Sequence, residues 1–292
     1  MSSLDDFSEI LKHDEPLGPL TWLKVGGAAK YLARPRSAEE LTALVRCCFE
    51  QDIPVRLLGG GSNLLIRDEG VDGLVLQLDP ETFGVVAVSD NIVTAGGAAP
   101  LSHLVSTSVQ SGLSGFESLV GIPGTVGGAL HGNAGGNSGG VGQFVRSATV
   151  VTVKGETFTR TESELSFSYR SSSLNELAIL EATFELKPDN PEAITQRTKK
   201  NWIMKKATQP LSFQSAGCIF KNPRGMSAGA LIEQCGLKGT KVGNASISER
   251  HANFVVTSDG AKSNDVLELI ETTRQGVAER FGVDLDLEIR IW

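Results

Sequence analysis

Apolar side chains fall at Leu41, Leu44, Val45 and Cys48, the i, i+3, i+4, i+7 spacing that lines one face of an α-helix. Ser37 with Glu40 three residues later makes a capping box ahead of this run, and Pro54 stops it, so the pattern predicts a helix over 37–52. An apolar run over 55–58 then enters Gly59-Gly60-Gly61-Ser62-Asn63. Short apolar runs over 64–66, 74–78, 85–88 and 92–95 predict strands, and residues 100–110 predict a second helix closed by Gly112.

In the second half, residues 148–153 and 156–159 flank Lys154-Gly155 as a hairpin, and 178–186 predicts another strand. Pro188-Asp189-Asn190-Pro191 reads as a boundary, so the expected domains are 21–190 and 191–292. Helices are predicted over 191–206 and over 263–281, the latter ended by Gly282. At the end, Leu285, Leu287, Ile289 and Ile291 alternate with Asp286, Glu288, Arg290 and Trp292, the period of a strand with one face in the core. Strands and helices intermingle without regular βαβ spacing, which favours an α+β fold.

A chain of 292 residues has room for two domains. Its formal charge of −7, with no basic stretch, argues against a nucleic-acid partner. No apolar run approaches the roughly 18 residues of a membrane helix, and the first residues lack the features of a signal peptide, so the expectation is a cytoplasmic protein. The four cysteines form no C-x-x-C pair and the four histidines no H-x-x-x-H pair, and no metal site is expected.

Glycine changes the picture, because 12 of the 33 fall between Gly112 and Gly142. The cluster contains Gly121-Ile122-Pro123-Gly124-Thr125-Val126-Gly127-Gly128, a second glycine-rich turn besides Gly59 to Asn63. Such turns let backbone N–H groups converge on an anion, and two of them suit a long ligand with a diphosphate in its middle, such as FAD. Neither G-x-G-x-x-G nor G-K-[ST] is present, which excludes Rossmann and P-loop readings. Gly136-Asn137-Ser138-Gly139-Gly140 matches G-x-S-x-G, but no apolar strand precedes it to strain the serine, which argues against a hydrolase. Taken singly, Arg170 in Ser168-Tyr169-Arg170-Ser171-Ser172 reads as a surface residue and Cys218 as a small core residue.

The motifs together resemble one family. V-G-G at Val25, G-G-G-S-N-L-L at Gly59, G-I-P-G-T-V-G-G-A at Gly121, S-Y-R-S-S at Ser168, G-C-I-F-K-N-P at Gly217 and L-E-I-R at Leu287 stand in the order found in UDP-N-acetylenolpyruvoylglucosamine reductases. The resemblance runs from about Thr21 to the C-terminus. It implies a vanillyl-alcohol-oxidase-like (PCMH-type) FAD domain and a smaller C-terminal substrate domain, with NADPH as reductant and the enolpyruvyl ether of UDP-N-acetylglucosamine as substrate. FAD would be held non-covalently by Gly59, Gly60, Gly61, Ser62, Asn63, Gly121, Ile122, Gly124, Thr125, Gly127 and Gly128. The catalytic trio maps onto Arg170, Cys218 and Glu288, with Tyr169, Lys221 and Asn222 as substrate contacts. The expected species is a monomer working on small molecules in peptidoglycan synthesis.

The chain departs from the family's usual pattern in carrying a cysteine where most relatives have serine. A thiol with a pKa of about 8.5 is the stronger acid, so a proton-donor role at Cys218 survives and brings sensitivity to oxidation. The stretch between Arg170 and Cys218 also lacks the tyrosine-bearing insertion of one branch. Two other classes remain open at this stage. Another PCMH-type flavin oxidoreductase acting on a small polar substrate would share the glycine turns without needing the last two motifs, and a non-catalytic scaffold would carry no flavin colour.

Overall fold

A computed structural model describes residues 3–136 and 139–292, in two compact units. The first comprises 1–13, 31–60 and 72–204, and the second 14–30, 61–71 and 205–292. This division differs from a cut near residue 190. The segments 14–30 and 61–71 pack with the C-terminal part because their apolar residues Leu23, Val25 and Leu65 belong to its core. Asn137 and Ser138, the centre of the G-x-S-x-G match, lie outside the described residues.

The first unit is built on a five-stranded antiparallel sheet in the order Thr157–Thr161, Val145–Val151, Ala178–Glu185, Ile92–Gly96, Val86–Ser89. The hairpin at Lys154-Gly155 is present, with Gly155 at φ +72°, a conformation that suits glycine in a tight turn. Helix Leu101–Gln110 turns Leu101, Leu104 and Val105 into a core with Val93, Phe116 and Phe184. A second core holds helix Ala38–Glu50 through Leu41, Leu44, Val45 and Cys48, the stripe read from the sequence. Ser37 caps that helix by accepting from the Glu40 amide. The Glu40 carboxylate, however, reaches the amide and guanidinium of Arg36 instead of closing a box on Ser37.

The second unit pairs Gln214–Cys218, Phe254–Thr257, Ala245–Ile247 and Lys241–Val242 in that order, all antiparallel. Helix Ser263–Phe281 buries Val266, Leu269, Ile270, Thr273 and Val277 along one face and ends at Gly282, whose φ of +66° gives the left-handed cap. The expected strand over 285–291 is broken. Leu287 makes an isolated bridge with Phe220, and only Arg290–Ile291 is regular, pairing in parallel with Leu64–Leu65. Among the described residues, no helix is long and apolar enough to cross a membrane, and no group of His, Cys, Asp and Glu could hold a metal ion.

Candidate active site

Within the first unit the two glycine-rich turns meet. A Cβ on Gly60 would sit 2.7 Å from the Gly124 Cα, and one on Gly59 would sit 2.9 Å from the Thr125 Oγ1, closer than real side chains approach. Gly121 and Gly124 have φ of +77° and +109°, open only to glycine at low cost. The two turns therefore meet backbone to backbone, a packing that only glycine at these positions permits. The two turns contribute unequally. The Gly127 amide donates to the Gly97 carbonyl at 2.9 Å and the Ile122 amide to the Leu119 carbonyl at 3.0 Å, so at these two positions the N–H groups point into the protein. Thr125 caps helix Val126–His131, its hydroxyl accepting from the Gly128 amide at 3.4 Å. Gly61, in the second unit, is forced by the Leu20 carbonyl, against which a Cβ would clash, and its own carbonyl accepts from the Trp22 amide at 3.0 Å.

Arg170 stands on a tight turn between Phe167–Ser168 and Ser171–Ser172. Its φ is +53°, a left-handed conformation that costs a non-glycine residue on the order of 1 kcal/mol. The surroundings hold it there. Its Nη1 donates to the Gly135 carbonyl at 3.0 Å, and the guanidinium carbon lies 5.5 Å from the centroid of the Tyr169 ring. Asn133, at φ +43°, donates to the Ser168 carbonyl at 2.7 Å and accepts from the Gly142 amide at 3.0 Å, tying this turn to the glycine-rich segment. Between them lies a cleft of about 570 Å³, lined by Gly135, Gly140, Phe167, Tyr169 and Arg170 among others. Tyr169 is 56% exposed. Asn133 is not among the residues that the sequence motifs single out. Its signal is chemical, since asparagine tolerates a left-handed backbone and carries both a donor and an acceptor.

In the second unit Cys218 ends its strand just after an irregularity in pairing, where Gly217 adopts φ +76°. The chain beyond it is clamped by Asn253, only 2% exposed, which accepts from the Phe220 amide at 3.0 Å and donates to the Phe220 carbonyl at 2.8 Å. Across from it, the Glu288 amide donates to the Ile219 carbonyl at 2.8 Å, and the Lys221 amide to the Asp286 carbonyl at 2.8 Å. Cys218 and Glu288, 70 positions apart, thus flank one short antiparallel pairing. Both are part-buried. Asn222, expected to meet substrate, uses its Oδ1 to accept from the Ala228 amide at the start of helix Ala228–Gln234.

The sequence and fold compare directly with known proteins. Residues 209–292 match the C-terminal domain of UDP-N-acetylenolpyruvoylglucosamine reductase, and residues 29–161 match an FAD binding domain. UDP-N-acetylenolpyruvoylglucosamine reductase 2 of Symbiobacterium thermophilum is 42% identical over 284 residues, spanning 97% of this chain and 92% of that protein. The chain belongs to the UDP-N-acetylenolpyruvoylglucosamine reductase family.

The reductase of Moorella thermoacetica is 41% identical over 96% of this chain and 92% of its own length. The crystal structure of UDP-N-acetylenolpyruvylglucosamine reductase from Thermus caldophilus superposes with a TM-score of 0.82 at 37% identity, covering 97% of this chain and 98% of that one. The protein is therefore an FAD-dependent oxidoreductase, with a PCMH-type FAD domain followed by the family's C-terminal domain. The contact between Gly59-Gly60 and Gly124-Thr125 leaves backbone bare of side chains, the kind of surface to which the diphosphate of that cofactor can come close.

Proposed function

We propose that this chain reduces the enolpyruvyl ether of UDP-N-acetylglucosamine to UDP-N-acetylmuramate, drawing electrons from NADPH, in the cytoplasm and as a step of peptidoglycan precursor synthesis. The observation that carries this reading is the pairing of Cys218 to Phe220 against Leu287 and Glu288 within a chain that matches the family nearly end to end. FAD, bound non-covalently at the glycine turns, supplies the two-electron relay from NADPH to substrate.

The chain's own side chains handle charge and protons. Hydride addition to the terminal methylene of a carboxylate-conjugated enol ether makes a methyl group and leaves an electron pair on the adjacent carbon, delocalised into the carboxylate. Arg170 meets that carboxylate with its planar fork, which stabilises charge most where it grows. Cys218 gives its thiol proton to the carbon bearing the ether oxygen, and the resulting thiolate recovers a proton from water. Glu288 donates a hydrogen bond to the same carboxylate when protonated, and Tyr169 and Lys221 contact the substrate. The enzyme acts as a monomer.

Steady-state turnover tests the proposal. NADPH consumption should require the enolpyruvyl substrate and yield equimolar UDP-N-acetylmuramate. Rapid NADPH consumption with oxygen alone, unchanged by that substrate, would instead mark a flavin oxidase.

A further inference from the structure

Asn63 closes the glycine-rich turn that begins at Gly59 and is expected from sequence to face the cofactor. Its side-chain amide nitrogen is engaged with another residue. The Asn63 Nδ2 donates to the Glu288 carbonyl at 3.0 Å, and the Asn63 carbonyl accepts from the Arg290 amide at 3.0 Å. All three residues belong to the second unit. The Glu288 amide donates to the Ile219 carbonyl at 2.8 Å and the Ile289 amide to the same carbonyl at 3.3 Å, so the peptide before the Glu288 Cα is held by Ile219 and the peptide after it by Ile219 and Asn63 together.

We infer that Asn63 is a positioning residue for Glu288, acting on the reduction of substrate through that carboxylate rather than through flavin binding. The chemistry requires this residue type. The Glu288 carbonyl needs a donor, and the Arg290 amide is met by the same residue's backbone, so one asparagine spans residues 288 to 290. Aspartate, its isostere, offers only acceptors when ionised and would set a carboxylate against the Glu288 carbonyl. The inference rests on the catalytic reading of Glu288 given above.

The test uses FAD-loaded enzyme and resolves the two half-reactions by stopped flow. Asn63→Ala should slow flavin reoxidation by the enolpyruvyl substrate by roughly ten- to a hundredfold, the scale of a small misplacement of a reacting group. Flavin reduction by NADPH and the FAD dissociation constant should move by less than about threefold, because neither uses Glu288. In a Glu288→Gln background the same change should cost little more, the non-additivity expected of residues acting as a unit. Asn63→Asp, which conserves shape, should be at least as slow as Asn63→Ala.

A tenfold loss of FAD affinity, equal losses in both half-reactions, or additive effects with Glu288→Gln would overturn the inference. A slow Glu288→Gln beside an unimpaired Asn63→Ala would overturn it while leaving the catalytic reading intact. An unimpaired Glu288→Gln would bring down the catalytic reading itself.

Discussion

The amide of Glu288 donates to the carbonyl of Ile219 across 2.8 Å, and so joins the last residues of the chain to the strand end that carries Cys218. This one bond brings the backbone of Glu288 beside the end of the Cys218 strand although 70 positions separate the two residues. Neither motif means much alone, and their pairing is what turns two ordinary residues into a candidate acid site.

If Cys218 is the proton donor, its loss strikes only one half of the cycle. Cys218→Ala should leave flavin reduction by NADPH within about twofold and slow reoxidation by substrate by roughly two to four orders of magnitude, the usual worth of a general acid. Cys218→Ser should recover part of that loss. Equal damage to both half-reactions would make Cys218 structural.

Arg170 should not tolerate lysine. The ammonium of Arg170→Lys cannot reproduce a bidentate fork on a carboxylate, nor the 3.0 Å bond from Nη1 to Gly135 in the same pose. Substrate reduction should fall by roughly a hundredfold or more, on the scale of a lost transition-state donor, with flavin reduction by NADPH preserved. A variant with near-normal turnover would return Arg170 to the surface role that its immediate sequence suggests.

Asn253 is a structural pin for the same region. Asn253→Ala leaves both the amide and the carbonyl of Phe220 without their buried partner, at about 1–3 kcal/mol for each unsatisfied group. Urea unfolding should show a loss of about 2–4 kcal/mol, and a change below about 0.5 kcal/mol would mean that the clamp is dispensable.

Much of the framework was legible from the sequence, and the reason is locality. The Ala38–Glu50 helix and the hairpin at Lys154-Gly155 follow from residues a few positions apart, whose periodicity and turn chemistry need no distant partner. The trio of Arg170, Cys218 and Glu288 came from family resemblance, since no local rule distinguishes them. What stayed hidden depends on long-range packing. Nothing near Asn63 announces Glu288, 225 positions away, and nothing in the alternation of Leu285 to Ile291 shows that Glu288 follows an isolated bridge rather than sitting in a continuous strand. The compact units divide the chain differently from a cut near residue 190 for the same reason, because Leu23 and Leu65 look like ordinary core residues until the core they join is known.

Glu117 should make stability depend on pH. Burial alone would push its carboxyl up, but its own amide and that of Gly115, with the Arg197 guanidinium and the Ser114 hydroxyl, outweigh burial and hold it below its ordinary value of 4.5. A group depressed on folding contributes stability that is fully present above its unfolded value and is lost as pH falls through the folded one. Unfolding midpoints should therefore drop as pH is lowered below about 4.5, and Glu117→Gln should show a shallower drop on a lower plateau. An identical acid profile in the two proteins would contradict this.

Transfer of electrons from reduced flavin to the enolpyruvyl ether can be followed in one anaerobic single turnover. The FAD-loaded protein is reduced with one equivalent of NADPH, freed of nucleotide, and mixed with UDP-N-acetylglucosamine enolpyruvate while the flavin absorbance is followed. The flavin should return fully to its oxidised form, with one UDP-N-acetylmuramate formed per flavin. Flavin that stays reduced until oxygen is admitted, with the substrate recovered unchanged, would contradict it.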